Sequence, residues 1–168
     1  MKRFIILITT LVLMCSLVSC SRSTSNPTTE PSRPTTKEPN TTTHNKEDDE
    51  LMNKTLSLKI DNTEVDVNWL DNDSVIALKI QAKDGHTIEM HMYGGFEQVG
   101  SLGTSITSAD TRITTSPGDI VLYSSNQIVI FYDSNTWSYT KLGHINLSKS
   151  ELTDLLGDGD VTITITLK

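Results

Sequence analysis

Residues 116–132 read SPGDIVLYSSNQIVIFY. Pro117 and Gly118 suit the two central positions of a type II turn, the proline presetting φ and the glycine accepting φ > 0. This turn launches Ile120-Val121-Leu122-Tyr123, Ser124 to Gln127 reverses the chain, and Ile128 to Tyr132 runs back. Two adjacent runs this apolar are expected to be central strands covered on both faces. A chain organised around such a pair is mainly β.

The flanking segments agree. Leu56, Leu58 and Ile60 alternate with Ser57 and Lys59, and Val65, Val67 and Trp69 repeat the pattern after the turn-forming pair Asp61-Asn62, which predicts a hairpin. Asp71 to Ser74 offer N-caps for a short helix through Val75, Ile76, Leu78 and Ile80 that ends before Asp84-Gly85. In the next strand Ile88, Met90 and Met92 are expected on one face and Glu89, His91 and Tyr93 on the other. Ser148-Lys149-Ser150-Glu151 forms a capping box, starting a second short helix that uses Leu152, Leu155 and Leu156 and stops at Gly157. Val161, Ile163, Ile165 and Leu167 alternate with threonines in a closing strand. Mostly strand with two short helices predicts a small β-barrel, closed or half closed, because closure leaves no unpaired edge.

One stretch resists this pattern. Residues 93–103, YGGFEQVGSLG, hold four glycines in eleven positions, a poor composition for the interior of a helix or strand. Two readings are open. The glycines let backbone approach a ligand that Tyr93, Phe96, Glu97 and Gln98 orient, or they permit a bend at a barrel corner with Phe96 plugging one end of the core.

The N-terminus reads as an export signal. Lys2 and Arg3 precede an apolar run from Phe4 to Val18, shorter than the roughly 20 residues that span a bilayer. The run ends in Leu17-Val18-Ser19-Cys20, which resembles the bacterial lipobox, and the resemblance implies that Cys20 is alkylated with diacylglycerol and that residues 1–19 are removed. Cys15 leaves with the signal, so no disulfide is expected. Residues 20–54 are rich in Ser, Thr and Asn and hold Pro27, Pro31, Pro34 and Pro39 with almost nothing to bury, so they are expected to be a disordered tether. Residues 55–168 form the single domain and carry eight of the nine aromatic residues. Without Lys2 and Arg3 the balance is 12 basic against 21 acidic residues, a net charge of −9, which argues against nucleic acid as a partner.

Tyr93-Gly94-Gly95-Phe96-Glu97-Gln98, Ser116-Pro117-Gly118-Asp119-Ile120, Ile130-Phe131-Tyr132, Trp137-Ser138-Tyr139-Thr140 and Leu142-Gly143-His144-Ile145 together resemble the bacterial cyclophilin-like family. The resemblance implies a small barrel of cyclophilin-related topology, often exported as a lipoprotein. True cyclophilins isomerise X-Pro bonds, whose uncatalysed barrier is about 18–20 kcal/mol, with an arginine placed near the substrate amide. The Phe-His-Arg motif that carries it is absent, and Arg112 is the only arginine after residue 54.

Trp137 and Tyr139 share a face of their strand, either stacking on a peptide or sugar or packing as core and lid. Glu89 and His91 also share a face, but two groups without a third do not make a metal site, and Asp158-Gly159-Asp160 lacks the remaining ligands of a calcium loop. No phosphate loop or nucleophile elbow occurs, so no cofactor and no catalytic residue is assigned. The sequence thus points to a lipid-anchored binding module on the extracytoplasmic face of a bacterial membrane. Its ligand would be a peptide, a protein or a small molecule held by Tyr93, Phe96, Glu97, Gln98, Trp137 and Tyr139. The alternatives are a peptidyl-prolyl isomerase of exported proteins and a structural or adhesive envelope protein.

Overall fold

The structure, a computed structural model, describes residues 46–168. The signal segment, Cys20 and residues 21–45 lie outside the described residues. The elements in order are α1 (Lys46–Asn53), β1 (Leu56–Ile60), β2 (Thr63–Val65), β3 (Val67–Trp69), α2 (Asp73–Gln81), β4 (His86–Tyr93), β5 (Glu97–Ser101), β6 (Thr111–Thr114), β7 (Asp119–Tyr123), β8 (Gln127–Phe131), β9 (Thr136–Ile145), α3 (Lys149–Leu156) and β10 (Val161–Leu167).

Helix α1 falls at the C-terminal end of the stretch 20–54 that reads as a tether. So short a helix is marginal alone; it packs on α2, where Lys79 Nζ donates to Met52 O at 3.0 Å. The two expected helices are present. Asn72 caps α2 by accepting from Val75 N–H at 3.0 Å, and the Ser148/Glu151 capping box opens α3.

All strand pairs are antiparallel, in the order β2-β1-β10-β4-β5-β8-β7-β9-β3, with β6 adding to β9. The two ends of this order, β2 and β3, are one extended segment interrupted at Asp66. Its first half pairs with β1 and its second half with β9, so the sheet returns on itself as a nearly closed barrel. The Trp69 indole N–H, donating to Leu56 O at 3.0 Å, bridges the seam. Of the expected hairpin, only residues 63–65 pair back onto β1.

β7 and β8 lie in the middle of the order, as their sequence predicts. Ile120, Leu122, Ile128 and Ile130 face the main core with Leu58, Ile60, Met90, Leu142 and Ile163. Val121, Val129 and Phe131 face outward into a second cluster with Tyr139, against which Phe96, Val99, Ile113 and Tyr123 pack. The Pro117-Gly118 turn closes with Asp119 N–H donating to Ser116 O at 3.0 Å, and Gly118 has φ +95°. A Cβ on Gly118 would lie 2.7 Å from Ile145 O, so the position requires glycine on two counts.

Residues 93–103 depart from expectation. Gly94 and Gly95, at φ +61° and +71°, make the bend, with the Phe96 ring folded over Gly94 where a side chain would collide with it. From Glu97 to Ser101 the chain is a strand between β4 and β8. Gly100 weakens that strand intrinsically, but Met90 and Ile88 of β4 cross it and fill the space of its missing Cβ. Phe96 packs outside the barrel rather than plugging its end, stacked on Phe131 at 6.4 Å between ring centres.

Candidate functional site

Strand register sets which side chains meet outside the barrel. Across β4, β5 and β8, Tyr93, Glu97 and Phe131 form one row, and His91, Val99 and Val129 the next. Ser101, Gln127 and Tyr123 make a third row across β5, β8 and β7. Apart from the fully buried Phe131, these rows are the floor of a cleft of ≈ 540 Å³.

Its wall comes from β9. Between Ile120↔Gly143 and Val121↔Lys141 the register shifts, leaving Leu142 as an extra residue, and such a bulge bends its strand. Beyond it, Thr136 to Tyr139 pair with β6, away from the barrel path. Trp137 and Tyr139, two residues apart on this segment, both line the cleft. Trp137 is 54% exposed, whereas Tyr139 is buried and held edge-on to Tyr123 and Phe131 at 5.8 and 5.6 Å. Asn135 Nδ2 donates to the Tyr139 hydroxyl at 3.1 Å.

Glu97 is the unusual group in this setting. It is only 7% exposed, and its Oε2 is buried with no hydrogen-bond partner among the described residues. Burial pushes its carboxyl up to about 7. The Tyr132 and Tyr139 hydroxyls are also shifted upward, first by burial and then by the Glu97 charge.

The stretch from residue 58 to residue 166 matches the model of the cyclophilin-like family. The chain belongs to that family. No curated protein and no solved structure matches it.

Of the six residues that sequence reading nominates for this cyclophilin-like domain, the cleft brings four together: Tyr93, Glu97, Trp137 and Tyr139. The other two stand elsewhere. Gln98 is fully buried on the opposite side of β5, its Nε2 donating to Leu156 O at 2.7 Å and Gly159 O at 2.5 Å, so it ties the end of α3 to the barrel. Phe96 supports the cleft from behind through Phe131. The other candidates are also accounted for. His91 Nδ1 meets Asp160 Oδ2 at 2.8 Å, Glu89 accepts from Thr162 Oγ1 at 3.1 Å, and no cluster of three His, Cys, Asp or Glu forms among the described residues. Arg112 is exposed on β6 and is not part of the cleft lining.

Sequence reading missed His91, Met92 and Tyr123 as lining residues. Met92, expected inside with Ile88 and Met90, is 39% exposed at the end of β4. Tyr123 was hidden within an apolar run, and only its position opposite Gln127 at the turn end of the β7–β8 hairpin distinguishes it.

Glu97 predicts a pH dependence of stability. Because its folded value, about 7, lies above the ordinary 4.5, the fold favours the neutral acid. That contribution is complete below about pH 4.5 and is lost as the pH rises through about 7. Glu97→Gln, which cannot ionise, is therefore expected to be more stable than wild type at pH 8 by about 2 kcal/mol, with the difference shrinking towards pH 5. Urea denaturation of both proteins at several pH values checks this, and a pH-independent difference contradicts it.

Proposed function

We propose that this cyclophilin-like domain is a non-catalytic binding module, tethered through a lipid on Cys20 to the extracytoplasmic face of a bacterial membrane. The cleft outside the barrel takes its ligand. The observation that carries this reading is the concave surface of ≈ 540 Å³ joining the β4–β5–β8 floor to Trp137 and Tyr139. That volume is typical of small-ligand sites, and aromatic walls with a few polar groups are their usual lining. An isomerase finds less support, because Arg112, the only arginine of the domain, is outside the cleft lining.

Two experiments test the reading. Cys20→Ala is expected to abolish retention of the processed protein in the membrane fraction, and retention of a processed variant refutes the anchor. Thermal shift of the detergent-extracted full chain against peptides, glycans and small molecules is expected to give hits that Trp137→Ala removes. Hits unaffected by Trp137→Ala place binding elsewhere, and proline isomerisation above buffer in a protease-coupled assay contradicts the non-catalytic reading.

A further inference from the structure

Resting on the cleft as the binding site, we propose that it selects a ligand bearing a compact organic cation, an alkylammonium or quaternary ammonium group, seated between Glu97 and the rings of Tyr93, Tyr123, Trp137 and Tyr139. Each part of this pairing has its own basis. A carboxylate withdrawn from water without a hydrogen bond or a cation is costly. Such groups persist where a ligand completes them, and perturbed carboxyls in clefts mark sites of this kind. Glu97 Oε2 is in that condition, and no lysine or arginine lines the cleft to satisfy it.

The surroundings match the missing partner. Aromatic faces attract cations through their quadrupole, Trp most strongly, and the attraction grows when water is excluded. Four of the domain's eight aromatic side chains line this one cleft. Val99 and Val129 supply an apolar floor for the carbon substituents of the cation. A strongly hydrated metal ion would find one carboxylate in the lining, with no cluster of three His, Cys, Asp or Glu among the described residues, which suits it poorly. Inorganic anions are repelled by Glu97.

The charged groups facing Glu97 are few. His91 on β4 lines the same cleft but is engaged by Asp160, and the Tyr132 and Tyr139 hydroxyls feel the Glu97 charge. A bound cation favours ionised Glu97, so protons compete with it and binding weakens as the pH falls.

The cation has two possible sources, a free quaternary ammonium compound or the lysine side chain of a peptide. The detergent-extracted full chain is titrated at pH 8 with choline and with Nα-acetyl-lysine methylamide. Each is paired with its neutral counterpart, 3,3-dimethylbutan-1-ol and the norleucine analogue, and tryptophan fluorescence and calorimetry are the readouts. The expected result is that one cation binds at least tenfold more tightly than its neutral counterpart, that Glu97→Gln removes this preference while keeping the wild-type circular dichroism, and that affinity falls at least tenfold at pH 5.5. The cation that binds identifies the source. Equal binding of cation and neutral counterpart, or an unchanged preference in Glu97→Gln, overturns the charge selection; the cleft reading then stands if Trp137→Ala weakens both. Failure of both cations to bind at millimolar concentration also overturns the inference, leaving the ligand screen as the separate test of the cleft.

Discussion

Gly100→Val is expected to cost about 4 kcal/mol of stability, at the upper end for overpacking a core. Even a Cβ at this position would collide with Met90 Sδ, lie 2.6 Å from Ile88 Cγ2 and 2.9 Å from Glu89 O. The methionine can shift, but the carbonyl belongs to the β4 backbone that pairs with β5, so the branched side chain must push the two strands apart. Met90 is fully buried, which leaves little room for its own retreat. Urea titration followed by far-UV circular dichroism gives the loss directly. A cost below 1 kcal/mol would mean that the crossing of Met90 over Gly100 is not tight. The same displacement moves Glu97 and Val99 on the far face of β5, so ligand binding is expected to weaken in any Gly100→Val molecules that remain folded.

Asp119→Ala is expected to cost about 3 kcal/mol. The Asp119 side chain is 4% exposed, and its Oδ1 receives Lys141 Nζ and His144 Nδ1, each at 2.8 Å. Its Oδ2 accepts from Ser116 N–H at 3.0 Å, which ties the carboxylate to the turn that begins β7. Burial by itself pushes the carboxyl upward, and the hydrogen bonds from Lys141, His144 and Ser116 outweigh it, so the net shift is downward. A folded value below the unfolded one contributes stability above the unfolded value, and that contribution disappears as the pH falls through the folded value. The difference between wild type and Asp119→Ala is therefore expected to be full at pH 6 and to fade under strongly acid conditions. Asp119→Asn, which keeps an acceptor for Ser116, is expected to lose less. Equal stability of all three proteins at pH 6 contradicts the role assigned to the carboxylate.

Features with local causes were legible in the sequence. The Ser148/Glu151 box needs only four residues to declare itself, and the two-sided burial of β7 and β8 leaves continuous apolar runs that alternate with nothing. The cleft was legible in part, because aromatics beside glycines drew notice to Tyr93 and Glu97, and period-two spacing placed Trp137 with Tyr139. What escaped depends on partners far along the chain. Gln98 faces inward because the carbonyls of Leu156 and Gly159 receive it, some 60 residues later. Gly100 sits in a strand because Met90 fills its space, and His91 and Tyr123 join the cleft only once the register of four strands is known. The break at Asp66 looked like the continuation of a hairpin, since alternation does not reveal that a strand changes partners midway.

That break has a bearing on solubility. From Ile120 to Tyr132 the chain carries no charge and no proline and is rich in β-branched and aromatic residues, a composition that stacks readily into fibrils when freed. In the barrel β7 and β8 are shielded by β5 on one side and β9 on the other, and the divided strand occupies the two margins that would otherwise recruit another chain. A lesion that detaches Val67–Trp69 from β9 would therefore show itself first as turbidity that rises with protein concentration, while most of the β-structure is still in place.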